Sequence, residues 1–115
     1  MDSILTSIKK MLGIVEEYEH FDQDIIMHIN NVFMVLTQIG VGPSNGFSIK
    51  NKDAVWTDFL SDTHWFYNSV QTYVYQKVRL IFDPPTGSLL EALKESIKEM
   101  EWRLNVAAET TTTTT

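Results

Sequence analysis

The chain has 115 residues, and its 15 acidic against 9 basic side chains give a formal net charge of −6 at pH 7. That length suits one domain around one core, and the absence of cysteine excludes disulfides, thiolate catalysis and cysteine-ligated zinc. Since the sequence has neither an apolar run near the ~18 residues of a membrane span nor a signal-peptide pattern, we expect synthesis in the cytoplasm and no membrane contact.

The helical period dominates along the chain, and strand alternation is nearly absent. A first helix is predicted over residues 3–12, with Gly13 as its stop. A second helix is predicted to start at Asp22 as its N-cap and to end near Gly40. Met27, Met34 and Val35 lie off its apolar stripe, so this helix is either central in its own fold or pressed against another chain. The two predicted stripes are Ile4, Ile8, Met11 and Leu12, and Ile25, Ile29, Val32, Phe33 and Leu36.

Acidic residues are concentrated between positions 16 and 24, where His20 is the only basic group. The simplest interpretation is a solvated acidic turn. The alternative is a surface that repels DNA, because affinity for phosphates comes mainly from Lys and Arg. The five acidic residues are Glu16, Glu17, Glu19, Asp22 and Asp24.

Residues 40–52 are predicted to form a long loop, because glycine, proline and asparagine recur there. The loop contains Phe47 and Ile49, which a purely solvated loop would not need. These side chains either pack into the domain's own core or dock on a neighbouring subunit, and the sequence favours neither.

Three further helices are predicted over residues 53–60, 62–82 and 88–105. The last two should form a hairpin, because Pro84 disfavours the helical conformation in the residue before it and Pro85 lacks the amide of a continuing helix. The predicted class is therefore all-α, a small bundle of four to five helices. The expected apolar stripes of the hairpin are Phe66, Val70, Tyr73, Val74, Val78 and Ile81, and Leu89, Leu93, Ile97, Met100 and Leu104.

Aromatic side chains crowd residues 56–67 and offer more apolar surface than one small core needs. Part of this cluster is expected to face a partner, because Trp, Tyr and Arg carry much of the binding energy at interfaces. The alternative is that all of it seals the short third helix onto the bundle. Arg79, on the flank of an apolar helix, is expected to form an ion pair within the fold or at an interface. The candidate interface residues are Phe47, Ile49, Trp56, Phe59, Trp65, Phe66, Tyr67 and Arg79.

Residues 1–106 are predicted to form the single domain, and 107–115 a threonine-rich tail. β-Branched repeats without apolar partners cannot bury enough surface to offset the entropy lost on ordering. The tail is therefore expected to be flexible or, if ordered, to be held as an arm by a neighbouring subunit.

Motifs for catalysis or cofactor binding are absent from the sequence, including the P-loop, the dinucleotide fingerprint, HExxH and the nucleophile elbow. Asp24 and His28 have the i,i+4 spacing of some metal ligands, but one such pair is far more often a surface contact. We expect no catalytic residue, no cofactor and no metal site, and hence no enzyme.

Six segments, spread over nearly the whole chain, are informative through their order and spacing. They are Ile-Lys-Lys-Met-Leu-Gly-Ile at 8–14, Asp-Ile-Ile-Met-His-Ile-Asn-Asn-Val-Phe at 24–33, Gly-Val-Gly-Pro at 40–43, Trp-Thr-Asp-Phe-Leu at 56–60, the block at 73–85, and Glu-Trp-Arg-Leu at 101–104. Together they resemble the head–tail connector proteins of long-tailed phages, also called neck adaptors or head-completion proteins. The threonine tail is not part of this pattern.

The resemblance implies a small helical subunit of the virion neck, made in the cytoplasm of the host bacterium. Its expected partners are further copies in a ring fitted to a twelvefold portal, the portal protein, and the next neck or tail-completion protein. DNA would pass through the ring without sequence-specific binding, and the acidic residues of segment 16–24 would line the channel and repel phosphates. The rival interpretation is a cytosolic helical adaptor that binds one partner through the aromatic cluster without forming a ring.

Overall fold

Helices make up the fold in the computed structural model, which describes residues 3–113. The helices are α1 (Ile4–Met11), α2 (Asp22–Gln38), α3 (Trp56–Phe59), α4 (Tyr67–Phe82) and α5 (Ser88–Thr113). The extended pairing within 3–113 is limited to an isolated antiparallel bridge between Ser3 and Val55. The predicted all-α class is confirmed.

The packing is organised around α4, which contacts both α2 and α5, while α1 lies against α2 and α4. The stripe predicted for α2 is buried throughout, together with Ile26. None of the helices within residues 3–113 is long and apolar enough to cross a bilayer.

The first helix has the predicted ends but a different inner face. The Ser3 side chain accepts a hydrogen bond from the Thr6 amide at 3.2 Å, and Gly13 adopts a left-handed φ of 83°. Met11, expected in the core, is exposed, whereas Lys9 is buried. The following loop folds back over α1 and encloses the lysine, an arrangement that helical periodicity does not encode.

The start of α2 differs from the predicted cap. Asp22 is the first helical residue, and the N-cap position belongs to Phe21, which makes no side-chain capping bond. The Asp22 carboxylate instead lies 2.8 Å from the Lys9 Nζ. The prediction of Asp22 as N-cap is therefore wrong, because the carboxylate is used in an ion pair between two segments.

The third and fourth helices are shorter than predicted. In α3, the Asp58 carboxylate accepts a hydrogen bond from the Val55 amide at 2.9 Å, which fixes the start of the helix. Residues 61–65 form turns, with the His64 amide donating to the Ser61 carbonyl at 3.2 Å, so α4 begins only at Tyr67.

The C-terminal hairpin turns where the two prolines predict. The Asp83 amide closes α4 on the Arg79 carbonyl at 3.0 Å, and α5 begins at Ser88 after a left-handed Gly87. Ile81 and Leu89, predicted to be core residues, are exposed beside this turn. They lie at the end of the hairpin where the packing thins to half-buried residues such as Phe82.

The last helix is longer than predicted, since α5 continues to Thr113 instead of ending near residue 105. Ala107 and Ala108 are buried, and the Ala108 methyl lies 3.3 Å from where a Cβ would stand on Gly40. Residues 107 and 108, assigned to the tail, therefore belong to the packed part of the fold. The flexible or arm-like end stays a prediction, and its residues 114 and 115 lie outside the described range.

Candidate interaction surfaces

The predicted aromatic cluster is mostly core. Trp56, Phe59 and Phe66 are all buried. The Trp56 indole donates to the Ser7 hydroxyl at 2.8 Å, and the Phe59 ring centroid lies 4.6 Å from that of Phe33. Trp56 and Phe59 attach α3 to the bundle. Because all three side chains are buried, they can reach a partner only if the domain unpacks.

The loop aromatic and aliphatic side chains also turn inward. Ile49 is buried, and its amide and carbonyl both bond the Asn30 side chain, at 2.8 and 2.9 Å. Phe47 is partly buried against the rings of Phe33 and Phe59, with centroids 5.0 and 5.3 Å away. Of the two interpretations of this loop, the structure favours packing into its own core.

Trp65 is the exception in the predicted set, with 79% of its surface exposed. It borders an apolar groove of about 280 Å³ between the start of α4 and the second half of α5. Trp102 and Val106, exposed by 63% and 39%, line the same groove, and half-buried Met100 adds to its lining. Trp102 and Val106 were not among the predicted interface residues, although a tryptophan outside the apolar stripe of a charged helix is a usable signal.

The two remaining predicted interface residues, Tyr67 and Arg79, both make contacts within the chain. Tyr67 is partly buried against the core. Arg79 is half-buried, and its guanidinium donates to the Tyr75 hydroxyl at 3.3 Å. Within the described chain Arg79 has this hydrogen bond to a neutral side chain on the same helix, and an ion pair at an interface stays a prediction.

A buried lysine fixes the acidic segment. Lys9 is only 2% exposed, and its Nζ donates to the carbonyls of Glu16 and Tyr18 at 2.9 and 2.8 Å. The same ammonium lies 2.8 Å from the Asp22 carboxylate. The two carbonyls accept hydrogen bonds and the nearby carboxylate compensates the charge, which lowers the desolvation penalty of burying the ammonium.

The acidic residues therefore fall into two groups. Asp22 is largely enclosed and paired with Lys9, so it does not contribute a free charge to the surface. The other four, Glu16, Glu17, Glu19 and Asp24, are exposed. Three of these belong to the loop whose backbone Lys9 holds in place, so their charges are presented on one side of α1.

Polar contacts also join the hairpin. The Tyr73 hydroxyl, on a fully buried ring, donates to the Glu101 carboxylate at 2.6 Å, and Lys77 lies 3.8 Å from the same oxygen. Burial, the hydrogen bond and the negative charge of Glu101 all raise the pKa of Tyr73 well above its usual value. The phenol is thus protonated and serves as a donor that links α4 to α5.

Within residues 3–113, no group of three or more His, Asp or Glu side chains is placed to hold a metal ion. Asp24 and His28 gain no third ligand from the fold.

Comparison with known proteins gives one informative result. A family model described as phage connector protein matches residues 4–111 of this chain. Curated proteins and solved structures give no match. The family match confirms the resemblance seen in the six sequence segments.

Proposed function

The chain belongs to the phage connector protein family, and we propose that it is a structural subunit of the phage neck that forms a ring under the portal. In this role it extends the DNA channel and joins the head to the tail. The observation that carries the proposal is the family match over residues 4–111, because a match of that extent covers all five helices and not a single motif.

The distribution of exposed apolar side chains supports an assembling subunit. Trp65 and Trp102 are exposed at the groove, while Met27 and Met34 are exposed on α2. Isolated apolar side chains on a surface are ordinary, but two tryptophans on one groove are typical of a binding site. A ring requires two different surfaces on each subunit, whereas an adaptor requires one.

The fixed acidic loop supports a role beside DNA. Glu16, Glu17 and Glu19 project from a segment that Lys9 anchors, and the whole chain is acidic. Negative charges held along a channel repel phosphates and let DNA move without sticking. We therefore propose that this loop faces the channel.

We propose a structural and non-catalytic role. The titratable groups of the described surfaces serve packing or solvation: Tyr73 bonds Glu101, and Lys9 bonds loop carbonyls. No arrangement of nucleophile, base and oxyanion donors accompanies the groove, whose lining is mainly apolar.

Electron microscopy of the protein mixed with its cognate portal ring tests this function. The expected result is extra density that caps the portal around the channel, with one copy added per portal subunit. Bare portal rings beside monomeric protein would contradict the proposal and would favour the rival interpretation, a cytosolic adaptor with a single binding surface.

A further inference from the structure

We propose that the groove bordered by Trp65, Trp102 and Val106 receives the outer face of α2 from a second copy of this chain. The inference rests on the proposed ring and specifies its subunit contact. It is carried by the apolar groove, by a helix face without charges, and by the position of that face relative to the core.

The groove is apolar and charge-balanced. Its walls expose the Trp65 and Trp102 side chains, and its volume is about 280 Å³. The charged residue on its lining is Arg103, whose guanidinium lies 2.8 Å from the Glu99 carboxylate. An occupant with a neutral, apolar surface therefore fits it better than a charged one, because a charge would lose its hydration without gaining a free partner.

The outer face of α2 has that chemistry. From Ile25 to Gln38 the helix contains no Asp, Glu, Lys or Arg, although it is exposed along its length. Interface cores are depleted of charged residues and enriched in methionine, whose flexible side chain adapts to irregular surfaces. Within that range the exposed stripe, at helical spacing, is Met27, Asn31, Met34 and Gln38, and the exposed Asp24 lies one turn before it.

The stripe cannot fill the groove of its own chain. α2 packs into the core through Ile25, Ile29 and Leu36, and at 100° per residue Met27 and Met34 project from the opposite side. A second copy is therefore needed to bring the stripe to the groove. Since the two surfaces share no residue, each copy can use both at once, which is the head-to-tail contact that closes rings.

Cross-linking at introduced cysteines tests the contact cleanly, because the chain has no cysteine of its own. The variant carries Met34→Cys on the stripe and Val106→Cys in the groove, and it is treated with a short bis-maleimide after assembly on portal rings. A head-to-tail contact predicts a ladder of trimers and larger species. Each single variant lacks a thiol on the facing surface, so it should stay uncross-linked at this contact and can give at most dimers. A control pair of Met34→Cys with Lys94→Cys, which is exposed on the charged side of α5, should give no ladder.

The outcomes separate this inference from the ring itself. A ladder from the double variant supports the contact. Rings visible by electron microscopy without a ladder would overturn the contact and leave the proposed function intact. Cross-links from Val106→Cys to the portal would overturn the proposed subunit contact, because the groove would then have another occupant. A failure to form rings at all would contradict both the contact and the proposed function.

A charge introduced into the stripe provides a second test. Asn31→Glu places a carboxylate among the stripe methionines without altering the core, since Asn31 is exposed. Desolvation of that charge should weaken ring assembly at least about tenfold while the melting temperature is unchanged. The matched control is Asn45→Glu, the same change on the exposed loop. Equal assembly by both variants would contradict the inference.

Discussion

The two longest helices of this protein differ in how many side chains they bury in the core. α2, with 17 residues, buries six side chains in the core, whereas α5, with 26 residues, buries four of its described side chains. α5 also exposes Leu89, Trp102 and Val106. Helix length therefore does not measure a helix's share of the core, and we propose that contacts with other chains cover the apolar surface that α5 leaves exposed.

The largest stability effect is expected where α2 meets the core. Phe33→Ala removes a fully buried ring that contacts Phe47 and Phe59, and should lower the free energy of unfolding by about 4 kcal/mol. The control is Met34→Ala at the neighbouring position, where the side chain is 57% exposed. This change should alter the free energy of unfolding by less than about 0.5 kcal/mol. Urea unfolding measures both, and similar losses would erase the distinction between the inner and outer faces of α2.

The lysine that holds the acidic loop comes next. Lys9→Met keeps the length and apolar stem of the side chain but leaves the Asp22 carboxylate and two carbonyls without their donor. The free energy of unfolding should fall by about 3 kcal/mol, because one partner of a buried ion pair is left uncompensated. Lys10→Met, on an exposed neighbour, is the control. If the free energy of unfolding of Lys9→Met equalled that of the wild type, the loop would not depend on this contact.

The next prediction compares two glycines of the long loop, Gly42 and Gly46. Gly42 and Gly46 both have left-handed φ values, 88° and 96°, but an added Cβ would overlap the Phe59 ring at Gly42 and meets nothing nearby at Gly46. Gly42→Ala should therefore destabilise the fold by about 2 kcal/mol more than Gly46→Ala, because overpacking adds to the shared backbone strain. Thermal unfolding of the two variants measures the difference, and equal losses would mean that the loop yields to the new methyl group.

The smallest effect is expected at the link between α4 and α5. Tyr73→Phe should cost about 1 kcal/mol at neutral pH, since Glu101 is partly exposed and keeps Lys77 nearby. Because the pKa of Tyr73 is raised in the folded state, unfolding releases its proton above the ordinary tyrosine pKa of about 10. Stability should therefore fall by about 1.4 kcal/mol for each pH unit above 10, and this slope should be absent from Tyr73→Phe. If the free energy of unfolding fell in parallel for the two proteins above pH 10, the assignment of this slope to Tyr73 would be contradicted.

Regular and local features could be predicted from the sequence. The α2 stripe is buried as its helical spacing indicates, and Pro84 with Pro85 ends α4 where their chemistry requires. The end of α5 could not be predicted in this way, because threonine has a modest helix propensity. Packing of Ala108 near Gly40 accompanies the continued helix.

The candidate surfaces were predicted less well than the fold. Counting aromatics correctly indicated an excess, but it could not distinguish buried Trp56 from exposed Trp65, because the difference depends on how α3 docks. Lys9 was missed for a related reason: its acceptors are backbone carbonyls of Glu16 and Tyr18, which no side-chain pattern reveals. Tertiary contacts, not local propensity, decide these positions.

The most direct test of the central claim, that the exposed side of the α4–α5 hairpin serves assembly and not stability, is to image portal rings mixed with wild-type protein and with Trp65→Ala. The variant removes a side chain that is 79% exposed, so it should unfold at the same urea concentration as the wild type. Capped portals are expected with the wild type and bare portals with the variant. Portals capped equally by both proteins would contradict the claim.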